Sequence, residues 1–153
     1  MTIFIDADAC PVKEETLKVA ARYDLPVKIV SNGGMRPSRD PMIVIVTVSA
    51  GPDAADDWIA DHAEAGDIVI TADIPLAARI LDNGASPLGP TGRLFTNDTI
   101  GMAMAMREIK QHVREATQTQ TRNRSFEAKD RSNFLQALDR LIIQTQKKRQ
   151  EQT

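Results

Sequence analysis

A chain of 153 residues, 42% of them hydrophobic, is the size of one ordinary domain and can bury a core of its own. It has no apolar stretch near the length of a membrane span, and its opening run TIFI is too short and too soon followed by acid for a signal peptide, so a cytoplasmic location is expected. The single cysteine, Cys10, excludes an internal disulfide and a cysteine-based zinc cage, and reads as a small packed residue.

The net charge of −2 is unevenly divided: residues 1–106 carry 8 basic and 15 acidic side chains, for −7, and residues 107–153 carry 11 and 6, for +5. That division suits a carboxylate-rich site beside a surface that attracts phosphates, although a solvated helical tail would have the same composition.

In chain order, the first stretch, FIDADACPVKEE, ends an apolar run with Asp6 and Asp8. Alternate residues of a strand share a face, so the two acids repel if the strand reaches that far. Cys10-Pro11 then opens a helix, with Val12, Thr16, Val19, Ala20 and Tyr23 at helical spacing. Further β-branched runs follow at 27–30 (VKIV), 42–48 (MIVIVTV) and 67–71 (DIVIT), and RLFT at 93–96 is the candidate fifth strand. The connection SNGGMRPSRDP reads as a loop because of its glycines and prolines. Ala55, Ile59 and Ala63 mark a second helix, and residues 76–81, opened by Pro75, a third.

After Asp98, Met102, Met106, Ile109 and Val113 repeat at helical spacing, which predicts core filling. TQTQTRNR, residues 117–124, reads as a polar linker. A last helix presents Phe134, Leu135, Leu138, Leu141 and Ile142 on one face, with Asp130 as its cap and a frayed end in QKKRQEQT.

Strands alternating with helices predict a three-layer α/β fold, with a mostly parallel five-stranded sheet covered by helices on both faces and a C-terminal helical extension. The expected domain spans residues 1–116, with the linker and last helix of 117–153 packed on it.

In such a sheet ligands bind beyond the carboxyl ends of the strands, and the distinctive polar residues gather there. Asp6 and Asp8 follow the first strand, Ser31 and Asn32 the second, Ser49 and GPDAADD the third, Thr71 and Asp73 the fourth, and Asn97 and Asp98 the fifth. Singly, Asp53, Asp73 or Asp98 could cap the helix that it precedes, and Asp56 and Asp57 could complement a helix dipole. Jointly, so many carboxylates repel unless a cation enters. Oxygen-only ligation suits Mg²⁺ or Mn²⁺, and the chemistry that follows is phosphoester hydrolysis, with Arg36 and Arg39 placed to hold flanking phosphates. His62 and His112 lack a metal-ligand partner at i+4 and receive no role.

DADACPVK, VSAGPDAADDWI, GDIVITADIPLAARILDNGA, TIGMAMAMRE and DRSNFLQAL together resemble the bacterial YaiI/YqxD family, across nearly the whole chain. That family is similar in fold to PIN-like nucleases, whose metal-binding carboxylates line the carboxyl edge of a parallel sheet. The resemblance makes Asp6 the acid of the first strand, Asp56 the acid of D-x-x-I-A and Asp73 the acid of T-x-D, with Asp8 as an addition in this family's own motif. The helix glutamate usual between the first two acids of PIN nucleases has no clear counterpart.

Three readings follow. The first is a Mg²⁺- or Mn²⁺-dependent nuclease or phosphoesterase acting on RNA or DNA. Asp6, Asp8, Asp56 and Asp73 hold the metal, Asp53 or Asp57 assists, and Ser31, Asn32, Arg36 and Arg39 contact substrate. The second is a haloacid-dehalogenase-like phosphatase suggested by IFIDADAC, with Asp6 as nucleophile. It lacks a lysine between Val30 and Asp73, and DAADD precedes Thr71, the reverse of the order that scheme uses. The third is a non-catalytic module that binds RNA or protein through its basic C-terminal region.

Overall fold

The computed structural model describes residues 1–51, 53–117 and 126–151. Among them the sheet has five strands, β1 (Ile3–Asp6), β2 (Val27–Ser31), β3 (Ile43–Thr47), β4 (Ile68–Ile70) and β5 (Ser86–Leu88), all parallel and ordered β3-β2-β1-β4-β5. Near-continuous Val and Ile suit strands whose two faces are both covered. The helices are α1 (Lys13–Arg22), α2 (Ala54–His62), α3 (Ile74–Asp82), α4 (Ile100–Thr117) and α5 (Ala128–Glu151).

Strand alternation divides the core in two. Ile3, Ile5, Ile29, Ile68 and Ile70 face one way, against Val19 and Ala20 of α1 and Phe134, Leu138 and Ile142 of α5. Phe4, Val30 and Val69 face the other way, against Ala55 and Ile59 of α2 and Leu76 and Ile80 of α3. The last helix therefore joins the core of the sheet, and Glu15 of α1 pairs with Arg131 of α5 at 3.0 Å. Because β2 and β3 lie on one side of β1 and β4 and β5 on the other, the chain reverses direction between β1 and β4. That is where a parallel sheet opens a crevice at its carboxyl edge.

The fifth strand is not RLFT. β5 runs through Pro87, which the edge position tolerates: Ser86 N donates to Asp67 O at 2.9 Å and Thr71 N to Leu88 O at 3.1 Å, so the ladder to β4 uses no Pro87 N–H. Leu94 makes one antiparallel bridge with Leu88, and Phe95 N donates to Pro87 O at 3.1 Å, so this segment covers the edge of the sheet. Asn97 and Asp98 consequently do not stand at a strand's carboxyl end. Pro11 precedes α1 in a turn rather than opening it, and β1 stops at Asp6, so Asp8 lies on the 3-10 turn Ala7–Ala9 instead of beside Asp6 on a strand.

The methionine stripe is also corrected. Met102, Met106 and Ile109 are 68%, 44% and 56% exposed, because α4 lies outside α3 and touches it through the small residue Ala103, against Ala77 and Phe95. Asp130 sits one turn inside α5 and accepts from Glu127 N at 3.0 Å, the return half of a capping box. α5 is helical to Glu151, through most of the end expected to fray. The linker expected at 117–124 lies outside the described residues, apart from Thr117, which closes α4. Among the described residues no helix is long and apolar enough to cross a membrane.

Candidate functional site

Three acids from separate elements meet at the crevice between β1 and β4. Asp6 is the last residue of β1 and is half-buried. The Thr71 hydroxyl, just past β4, donates to Asp6 Oδ2 at 3.1 Å and accepts from Asp73 N at 3.0 Å. Asp73 caps α3, accepting from Leu76 N at 2.9 Å, as its place before Ile74-Pro75 predicts. Asp56, in the first turn of α2, lies close enough to Asp73 and Asp6 to feel the charge of both.

The electrostatics are those of crowded, poorly solvated acid. Burial, then the charges of Asp73, Asp6 and Asp53 push Asp56 up to about 7. Burial also raises Asp6; its hydrogen bond from Thr71 works against that, and the charges of Asp8 and Asp73 add to it. Burial pushes the Cys10 thiol up as well, in keeping with a packed rather than a reactive residue.

Other expected residues are arranged differently. Asp8 is exposed and reaches Asp6 through its charge. Asp53 precedes α2 without capping it through its side chain, and Asp57 is engaged by Arg79 at 2.8 Å. Ser31 is buried, and its hydroxyl both accepts from Gly33 N and donates to Gly33 O at 3.0 Å, closing the turn at the start of its own loop. Asn32, Arg36 and Arg39 are exposed in that loop. A recess of about 310 Å³ at the acids is instead lined by Asp53, Asp56, Asp57, Asp73, Pro75, Leu76, Arg79 and Arg107. Arg79 and Arg107 were not apparent from their sequence neighbours, and the one signal for Arg107 was the change in charge sign that begins there.

An all-oxygen donor set whose acidity is suppressed for want of positive charge fits a hard divalent cation in its chemistry. Among the described residues, no three Asp, Glu, His or Cys side chains are already arranged as a metal-holding group. Asp56 is raised in the ion's absence, so a cation bound at these acids would draw a proton off it.

Fold and crevice define a parallel α/β protein with an acidic topological switch point. The chain belongs to the YaiI/YqxD family: the profile described as "Uncharacterized BCR, YaiI/YqxD family" matches residues 4–144. The chain is 61% identical to the UPF0178 protein mlr0875 of Mesorhizobium japonicum, over 92% of this chain and 91% of that protein. It is 58% identical to the UPF0178 protein R01393 of Rhizobium meliloti, over 91% and 95%, and 56% identical to the UPF0178 protein Atu1478 of Agrobacterium fabrum, over 95% of each. No solved structure matches the chain.

Proposed function

We propose that the crevice is the active site of a Mg²⁺- or Mn²⁺-dependent phosphoesterase of PIN-like type that cleaves RNA or DNA. The observation that carries this reading is the meeting of Asp6, Asp56 and Asp73, from three elements, at the switch point, with Asp56 raised to about 7 by burial and by its acidic neighbours.

Asp6, Asp56 and Asp73 would hold the cation, with Asp8 and Asp53 adding negative charge. A bound divalent cation lowers the pKa of a water and stabilises charge developing on a phosphate. Thr71 orients the Asp6 carboxylate. Asp56, raised to about 7 without the ion, would give up its proton as the ion binds. Arg107 faces the recess and can meet a phosphate oxygen, while Arg79 holds Asp57 aside.

The test is titration of the protein with Mn²⁺ and Mg²⁺, comparing wild type with Asp6→Asn and Asp73→Asn, beside cleavage assays on short RNA and DNA. Binding and cleavage lost together in the variants support the reading. Neither in the wild type removes it and leaves a non-catalytic RNA- or protein-binding module. That second reading is favoured by the lack, among the described residues, of a three-carboxyl group already in metal-holding arrangement.

A further inference from the structure

Arg107 lines two cavities. One is the acidic recess; the other is a groove of about 510 Å³ formed by α4, Arg93 and Ile74. Ile74 in the groove stands between Asp73 and Pro75 of the recess, so the two cavities adjoin. Their electrostatics are opposite. Among the described residues, the groove is lined by Arg93, Arg107 and Lys110 and by no carboxylate. Among the described residues none of these three cations is in an ion pair, whereas Arg79, across the recess, is paired with Asp57.

Ala103, Met106, Arg107 and Lys110 fall at the spacing of one helical face, so α4 presents a row of cations interleaved with exposed apolar Met106. Arg93 and Lys110 share the groove with no acid among its described lining residues, and Arg107 stands between it and the acidic recess, so the groove attracts a polyanion that the recess alone repels. The acid recess alone repels phosphate, and the groove lies beside it rather than within it. A ligand with one phosphate meets one cavity or the other, and a ligand that uses both carries successive phosphates.

We propose that Arg93, Arg107 and Lys110 form a docking track for the phosphodiester backbone of a single-stranded nucleic acid, leading it into the acidic crevice. The proposal rests on reading that crevice as a phosphoester-cleaving site, but binding along the track needs no metal. Each cation meets a backbone phosphate, and Met106 and Ile74 offer apolar contact to an unstacked base.

The test is fluorescence anisotropy of the full chain with labelled oligouridylate and oligothymidylate of about twelve nucleotides, in EDTA, across a salt series. Arg93→Ala/Lys110→Ala is expected to bind about tenfold more weakly at low salt. Its slope of log affinity against log salt should be shallower by about 1.4, because each single-strand phosphate contact contributes about 0.7. Lys148→Ala/Arg149→Ala, which removes the same charge from α5, should keep the wild-type slope. Circular dichroism confirms that the exposed substitutions leave the fold intact.

No oligonucleotide binding by the wild type, an unchanged slope in the groove variant, or an equal loss in the α5 variant overturns the track. Cleavage absent from the wild type while the groove variant still loses its slope overturns the crevice reading and leaves the track standing. Cleavage present with an unchanged slope does the reverse.

Discussion

The Thr71 hydroxyl donates to Asp6 Oδ2 across 3.1 Å, tying the end of β1 to the residue just past β4. The Thr71 oxygen also accepts from Asp73 N at 3.0 Å, so one buried side chain sets the positions of two acids across the switch point. Thr71→Val keeps the shape and removes both bonds. We expect a loss of about 1–3 kcal/mol in urea unfolding, since Asp73 N–H and Asp6 lose a partner in a half-buried setting. Divalent-cation affinity, read by calorimetry, should fall with it, and an unchanged affinity would separate Thr71 from the site.

Asp56 and Asp6 impose a pH dependence on stability. Both are raised in the folded state, so between the ordinary Asp value and about 7 the native chain holds more protons than the unfolded one. Their contribution is complete below the unfolded value, falls as pH rises through that window, and levels off above about 7. The urea midpoint should therefore drop between pH 5 and pH 8. Asp56→Asn should flatten the drop, and saturating Mn²⁺ should reverse it by supplying positive charge among the acids.

Asp73 has two separable roles. Asparagine is as good an N-cap as aspartate, so Asp73→Asn should keep the bond from Leu76 N and near-wild-type stability while removing the charge beside Asp56. Carboxyl NMR should then find Asp56 titrating lower than in the wild type. Asp73→Ala should relieve Asp56 in the same way and cost about 1 kcal/mol more through the lost cap.

Asp6→Asn should remove most divalent-cation affinity while slightly stabilising the cation-free fold, because one of the repelling charges at the crevice disappears. Calorimetry beside thermal unfolding reads both effects. Equal metal affinity in the variant would remove Asp6 from the ligand set.

Gly92 turns the chain back along the sheet edge with φ of 92°, and a Cβ there would stand 2.8 Å from Asn133 O of α5. Gly92→Ala combines a left-handed conformation that side chains resist with a clash against backbone, and should destabilise by about 2 kcal/mol or more. A wild-type melting temperature would mean that α5 yields at this contact.

Much of the fold was legible because burial on both faces demands continuous apolar strands. IFI, VKIV, IVIV and DIVIT announce four strands in advance, and the i, i+3, i+4 rows of Val12 to Ala20 and Phe134 to Ile142 announce α1 and α5. The fifth strand was hidden because proline and glycine around Ser86–Leu88 mimic a turn, and only the outward edge of the sheet makes Pro87 acceptable. Met102 and Ile109 look like core in one dimension. Whether a helical stripe is covered depends on which element arrives opposite it, and here the contact falls on Ala103.

The candidate site divides the same way. That acids accumulate at strand ends is local information, carried by Asp6 after β1 and Asp73 before α3. By itself the sequence determined an α/β chain of the YaiI/YqxD family with acid in front and base behind. The family resemblance singled out Asp6, Asp56 and Asp73, and only the tertiary structure decided that they share one crevice, that Asp57 turns to Arg79, and that Arg107 arrives from a helix far along the chain. The reason is physical. Propensity and periodicity act over a few residues, whereas the order β3-β2-β1-β4-β5 opens the crevice beside β1 and sets which acids crowd one another there.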